Sequence, residues 1–255
     1  MTTIYVRIEA TKGSAPRDAG TVMGVTATDT VGTIGGGALE FASIASARRM
    51  LHDGSFEARE TIPLGPRLGQ CCGGAVTLHY TRTPTPIDVT QDTPPLCAMR
   101  TTFKPPLWVW GAGHVGRSVV RTAVATQAFD ITWVDKDIGR FPASGFKAAQ
   151  QVPAHDMPRL AAHAPQDAMH LILTYSHDID LALCAALSTR GFAYCGLIGS
   201  KTKWARFRKK LQAANVDPDG ITCPIGDKNL GKHPDLIAYG TVKALLTQLR
   251  LEATA

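Results

Sequence analysis

"WVWGAGHVGRSVV", residues 108–120, is an apolar run that breaks into glycines and resumes at helical spacing. Gly111, Gly113 and Gly116 stand in G-x-G-x-x-G order between a predicted strand and a predicted helix. Asp135 ends the next predicted strand, in "ITWVDKD", 22 residues after Gly113. Strand, glycine loop, helix and distal acid together make the dinucleotide-binding fingerprint. Gly111 permits the tight turn, Gly113 lets a pyrophosphate approach the backbone, and Gly116 allows close helix–strand packing. The helix N-terminus, opening at His114, offers free amides and a positive dipole to phosphate, and Asp135 is expected to accept from a ribose hydroxyl. A glycine turn that binds nothing has the same spacing, and the fold does not fix a reaction.

Outward from this loop, apolar strands alternate with helices. "DITWVDKD", "AMHLILTYS" and "AYCGLIGS" read as strands; "DIDLALCAALSTRG" and segments near 201–213 and 234–250 read as helices. That alternation predicts a parallel sheet covered on both faces. Two further loops are expected at the carboxyl ends of these strands. "LTYSHDIDLAL" carries Ser176, His177, Asp178 and Asp180; Ser or Asp there caps a helix, while His177 beside a phosphate is able to donate or shuttle a proton. "LIGSKTKWARFRKKL" opens a basic helix at Ser200 and Lys201, with Trp204, Phe207 and Leu211 on its core face.

Before residue 83 the pattern differs. "TIYVRIEA" alternates apolar and polar at period two, as a half-buried strand does, and "TVMGVTA", "EARETI" and "AVTLHYT" continue in kind. "ALEFASIASARRMLH" is the single helix. Six prolines between residues 81 and 106 remove amide donors and mark a linker. The expected architecture is α/β: a small β-rich α+β domain over 1–82, a Pro-rich linker over 83–106, and a Rossmann-like doubly wound parallel sheet over 107–255.

Three motifs stand out in the first domain. "GSAPRDAG" sets Arg17 in a rigid turn, suited to bidentate capture of phosphate or carboxylate or else a plain surface charge. "VGTIGGGALEFA" leads Gly35, Gly36 and Gly37 into the helix bearing Glu40; a glycine run there is able to form an anion-binding nest, or else is a loose loop before a poorly capped helix. "LGPRLGQCCGGAVTLHY", residues 64–80, places Cys71 and Cys72 side by side after Gln70. The spacing is not that of a zinc site. A strained vicinal disulfide, two small buried side chains, and a thiolate for soft metal or sulfur transfer all remain open.

The whole chain excludes several classes. In 255 residues, 44% are hydrophobic and 19% charged, as in ordinary globular proteins. Six cysteines with no secretory leader point to a reducing compartment, and a cytoplasmic protein is expected. No apolar run of about 18 residues spans a membrane. The net charge of +6 favours anionic partners, but without a zinc finger, an aromatic RNP motif or a basic-region heptad, nucleic acid is not expected among them.

Taken in order, "GSAPRDAG", "VGTIGGGALE", "LGQCCGG", "WVWGAGHVG", "LTYSHDIDLAL", "GLIGSKTKWARF" and "CPIG" resemble the xanthine dehydrogenase accessory proteins of the XdhC/CoxI type, over nearly the whole chain. The resemblance implies a molybdenum-cofactor (molybdopterin) chaperone rather than a turnover enzyme, protecting the cofactor during sulfuration and delivering it to an apo molybdenum hydroxylase of the xanthine dehydrogenase type. It also implies a cysteine desulfurase as sulfur donor and a homodimer. The expected cofactor-binding residues are Arg17, Gly35, Gly36, Gly37, Glu40, Gln70, Cys71, Cys72, Gly111, Gly113, His114, Gly116, Asp135, His177, Ser200 and Lys201, with Cys71 or Cys72 at the metal. A nucleotide or dinucleotide is the expected occupant of the Rossmann loop. An NAD(P)-dependent oxidoreductase and a nucleotide-sensing domain pair are the competing readings.

Overall fold

The computed structural model describes residues 2–65, 74–96 and 104–252. Within it the chain divides into two compact units, Met1–Gln91 and Asp92–Ala255. The division falls inside the Pro-rich stretch. Ile87 packs on the first unit, its side chain lying against Gly24 and Gly32, and Leu96 packs on a core cluster of the second.

In the first unit, β1 (Ile4–Lys12) buries Ile4, Val6 and Ile8 and turns Arg7 and Glu9 outward, the period-two alternation of a strand with one wet face. It pairs antiparallel with β2 (Val22–Val25) on one side and β5 (Gly74–Thr81) on the other. The short β3 (Thr30–Val31) and β4 (Glu57–Leu64) complete a five-stranded antiparallel sheet of order β3-β2-β1-β5-β4. Helix α1 (Gly37–Asp53) covers one face, burying Leu39, Ser43, Ala47 and Met50 at helical spacing. These meet Ile4, Val6, Ile8, Met23 and Leu78 in a single core.

The second unit alternates as expected. Strands β6 (Pro106–Trp110), β7 (Asp130–Asp135), β8 (Ala149–Pro153), β9 (Met169–Ile172), β10 (Tyr194–Leu197) and β11 (Ile221–Thr222) form one parallel sheet of order β11-β10-β9-β6-β7-β8. The chain runs outward from β6 through β7 to β8, then crosses back to β9 and runs outward the other way. This is the doubly wound Rossmann arrangement, and its switch point lies between β6 and β9. Helices α2 (His114–Thr126) and α6 (Pro234–Glu252) cover one face over Leu107, Val109, Ile131 and Trp133. Helices α3 (Met157–Ala161), α4 (His177–Arg190) and α5 (Lys201–Ala213) cover the other over Trp110, Val134, Ile172 and Leu197. No helix among the described residues is long and apolar enough to cross a membrane.

Four short elements lack a clear sequence signal: β3, β8, α3 and β11. β8 reads "AQQVP"; its two glutamines and its proline are tolerated because the strand is an edge.

One of the buried polar residues is a histidine under the sheet's helical cover. His170 is fully buried on β9, and its Nδ1 accepts from Trp110 Nε1 at 3.2 Å. Indole nitrogen only donates, so the imidazole must be neutral with its proton on Nε2. Burial lowers its pKa to about 4. The unfolded chain takes up that proton near pH 6.5, so this histidine's contribution is intact above about pH 6.5 and is lost as the pH falls toward about 4. A His170→Phe variant should therefore show a flatter decline in urea midpoint between about pH 6.5 and about pH 5 than the parent protein.

Candidate functional site

In the second unit the loop after β6 is built by close approach. Gly111 has φ 120°, and a Cβ there would fall 2.4 Å from the carbonyl oxygen of Leu173. A Cβ at Gly116 would fall 2.0 Å from the Gly111 oxygen, which also accepts from Trp133 Nε1 at 3.0 Å. These two glycines are demanded by the fold. Gly113 is not. Its backbone is extended, and a Cβ there would meet no atom within 4 Å. It lies at the amino end of α2, which no side chain caps and whose first turn has no acidic residue. His114, half-buried, is the first residue of that helix.

Asp135 is drawn under this loop. Its side chain is 1% exposed. Oδ2 accepts from the Ala112 amide at 2.5 Å, and Oδ1 accepts from the Lys136 amide at 2.6 Å. The Arg140 guanidinium lies 3.5 Å from Oδ1. The carboxylate expected to read a ribose thus holds the glycine loop, with one amide bonded to each of its oxygens. Arg117 braces the same loop, donating from Nε to Ala112 O at 3.0 Å and from Nη2 to Arg140 O at 2.9 Å. Arg140 reaches over the ring of Tyr175, 5.5 Å from its centroid.

The loops after β9 and β10 are locked by a buried ion pair. Lys203 Nζ donates to Asp180 Oδ2 at 2.6 Å and to Ile198 O at 3.0 Å. Asp180 Oδ1 accepts from the Thr174 amide at 3.1 Å and its hydroxyl at 2.6 Å. Both charged side chains are at least nine-tenths buried. Ser176 and Ser200 cap α4 and α5, as capping chemistry predicts. Lys201 is exposed, whereas Lys203, which no sequence pattern singled out, is the structural lysine. Its partner lies 23 residues away on another helix, so only the fold reveals it. His177 opens α4 against Phe207, its ring 6.3 Å away edge-on. Burial, reinforced by Lys203, lowers its pKa to about 4, and it is neutral at physiological pH.

In the first unit, the turn 13–21, the end of β4 and the start of β5 lie at one end of the sheet. Leu64 pairs with Gly74, and Lys12 with Ala75. A Cβ at Gly74 would fall 2.3 Å from Ser14 O, and one at Gly35 would fall 2.4 Å from Pro16 Cγ. The Ser-Ala-Pro-Arg turn and the triple glycine therefore meet at the sheet end where the hairpin connection between Leu64 and Gly74 begins and ends. Gln70, Cys71 and Cys72 lie outside the described residues. Arg17, beside Gly35, is 6% exposed. Gly35, Gly36 and Gly37 all have positive φ, and the anion in their nest is the chain's own. Glu40 Oε2 accepts from the amides of Ile34 at 3.0 Å and Gly36 at 3.1 Å and from the Thr33 hydroxyl.

Among the described residues, no group of three or more His, Cys, Asp or Glu side chains is arranged to hold a metal ion. Cys184 and Cys195 are buried and Cys223 half-buried, all unpaired. Burial pushes the Cys184 thiol strongly upward, Cys195 to about 12 and Cys223 to about 11.

Comparison with known proteins bears directly on this geometry. The family model described as the XdhC Rossmann domain matches residues 107–243, more than half the chain, and the XdhC and CoxI family model matches residues 2–62. The chain belongs to the XdhC and CoxI family. A Bacillus halodurans protein whose crystal structure is described as that of a xanthine dehydrogenase shares the fold. It is 18% identical, with TM-score 0.51, over 97% of this chain and 91% of its own. An imine reductase variant from Myxococcus stipitatus, in complex with NAD+, aligns at TM-score 0.34 and 14% identity over 59% of this chain and 61% of its own. No curated protein matches the chain.

The glycines and lysines of this site differ in what their loss should do. Gly111→Ala and Gly116→Ala should each destabilise the protein by about 1–3 kcal/mol, while Gly113→Ala should stay within about 0.5 kcal/mol in urea unfolding. Lys203→Met, which strands Asp180 in the interior, should cost about 3–5 kcal/mol, and Lys201→Met should fall within about 0.5 kcal/mol.

Proposed function

We propose that this XdhC and CoxI family protein is a molybdenum-cofactor chaperone. It binds the molybdopterin cofactor, shelters it while its sulfido ligand is installed, and hands it to an apo molybdenum hydroxylase of the xanthine dehydrogenase type. A cysteine desulfurase supplies the sulfur, and the protein acts as a cytoplasmic homodimer. The observation that carries the reading is the meeting of the first unit's motifs at one sheet end. Pro16 packs on Gly35, Ser14 packs on Gly74, and the Leu64–Gly74 pair flanks the segment that contains Gln70, Cys71 and Cys72.

The two units offer different chemistry. In the second, the uncapped amino end of α2 at Gly113, where the backbone is open to close approach, suits a phosphate-bearing ligand. The molybdenum of the proposed cofactor, held by soft sulfur, calls for a thiolate. Cys184, Cys195 and Cys223 do not fit, because burial holds all three as thiols. Cys71, Cys72 and Cys97 remain, and of these we assign Cys71 or Cys72, in the Gln-Cys-Cys-Gly-Gly motif, to the metal. When bound, the cofactor supplies the redox and sulfido chemistry; the chain supplies binding and exclusion of water. The oxidoreductase alternative finds less support at Asp135, whose carboxylate is 1% exposed and already accepts from Ala112 and Lys136.

The test is a pterin assay. Protein purified from a host that makes molybdenum cofactor is denatured and oxidised, the fluorescent pterin derivative is quantified, and molybdenum is measured alongside. The parent protein should carry pterin, and Cys71→Ser or Cys72→Ser should lose most of the molybdenum. Absence of pterin above background, with added cofactor as well, overturns the proposal.

A further inference from the structure

Helix α5 holds as much positive charge as the whole chain has in excess. Its 13 residues include six Lys and Arg and no acid, and the other 21 cations of the chain are matched by its 21 Asp and Glu. Lys203 is buried against Asp180, and Arg208 pairs with Asp219 at 2.7 Å. Lys201, Arg206, Lys209 and Lys210 are exposed. Among the described residues, no ion pair compensates Lys201, Lys209 or Lys210. The opposite side of the helix, with Phe207 and Leu211, is in the core.

These cations stand against the stability of their own helix. Lys201 and Lys203 occupy the first turn, where the helix dipole disfavours positive charge, and no acid shares that turn. Asp180 compensates Lys203; nothing on the helix compensates Lys201. Arg206 and Lys210 are four residues apart, a spacing at which like charges repel. Helix α4 has the favourable order, with Asp178 and Asp180 in its first turn and Arg190 in its last. Charge that a helix does not need for itself is available to an anion outside it.

The rest of the helix narrows the kind of anion. Trp204 is half-buried and Phe207 buried, so α5 offers no exposed ring to stack on a nucleic-acid base. Its apolar side faces the core, so none is left to enter a lipid headgroup layer. An acidic protein face fits both facts. A helix of 13 residues is about 20 Å long, within the span of one side of a specific protein interface. It is also well placed. α5 begins just after β10, and Lys203 ties its first turn to the loops after β9 and β10. A partner lying along α5 therefore reaches the carboxyl edge of the parallel sheet.

We infer that the outer face of α5, centred on Lys209 and Lys210, is a docking surface for an acidic face of the hydroxylase that receives the cofactor. Its charge speeds encounter and sets the orientation of the partner. The identity of the partner rests on the chaperone reading; the acidic chemistry of its surface rests on α5.

Binding of the full chain to the purified apo hydroxylase, followed by surface plasmon resonance, tests the inference, with pterin content measured on every variant. Lys209→Glu/Lys210→Glu should weaken binding about a hundredfold, with at least about tenfold in the association rate. Lys209→Arg/Lys210→Arg, which keeps the charge, should bind within about twofold of the parent. Lys147→Glu/Lys243→Glu makes the same change in net charge at exposed positions before β8 and on α6, away from α5, and should also stay within about twofold. The Glu variant should keep the pterin content of the parent. Hydroxylase binding unchanged in the Glu variant, or weakened equally by the control pair, overturns the inference and leaves the chaperone reading standing. Duplex DNA or phosphatidylserine vesicles that bind the parent but not the Glu variant, while the hydroxylase binds both, also overturn it. A parent that carries pterin but does not bind the hydroxylase overturns the docking surface alone. A parent without pterin whose hydroxylase binding is lost in the Glu variant supports the surface and overturns the cofactor reading. A parent with neither overturns both.

Discussion

The carboxylate of Asp135, sealed beneath the glycine loop, is the constraint on which the second unit's site depends. A buried carboxylate survives only if its lone pairs are filled. Asp135 achieves this with the amides of Ala112 and Lys136 and the nearby guanidinium of Arg140. The same bonds fix the path of the chain from Gly111 to Gly113. With Ala112 held inward, the Gly111 carbonyl points at Trp133, and Gly116 packs onto that carbonyl. What remains outward is the amino end of α2. The shape of the loop is thus set by an anion the protein owns, before any ligand arrives.

The first unit solves a similar problem in the same way. Three consecutive glycines at positive φ are entropically expensive, and their amides need an acceptor when they are turned inward. Glu40, one turn into α1, returns its carboxylate to Ile34, Gly36 and the Thr33 hydroxyl. The nest is therefore an internal cap that stiffens the amino end of α1 beside Pro16 and Arg17. Preorganised loops of this kind have less conformational entropy left to lose on binding a ligand.

Elements whose pattern repeats were legible in the sequence. Ile4, Val6 and Ile8 alternate, the glycine spacing opens α2, and Phe207 and Leu211 recur at helical spacing on α5. These follow from one residue's relation to its near neighbours along the chain. The elements that were not legible depend on partners far away. β8 is a strand because β7 offers it a ladder from Ala149 to Pro153, not because "AQQVP" prefers to extend. Lys203 is buried because Asp180 waits for it on α4; on a helix carrying Lys201, Arg206, Arg208, Lys209 and Lys210, nothing local marks it out. Asp135 was found as a chemical group, but its direction is set by the Ala112 amide, a contact across 23 residues.

The buried pair of Lys203 and Asp180 also explains why the loops after β9 and β10 are rigid enough to serve a site. Thr174 and Ile198 are tied to opposite ends of one ion pair: Thr174 donates to Asp180, and Ile198 accepts from Lys203. Neither loop is able to swing without stranding a charge in the interior, a penalty of several kcal/mol. Tyr175 follows Thr174 directly in the chain, so the ring at the crevice rim stands on a fixed base even though the ring itself is exposed. His177, two residues further on, is held neutral by burial and by Lys203. The positive charge that serves to steady the loop thereby also suppresses a second positive charge beside it. The His177 imidazole therefore adds no charge at this edge of the crevice at physiological pH.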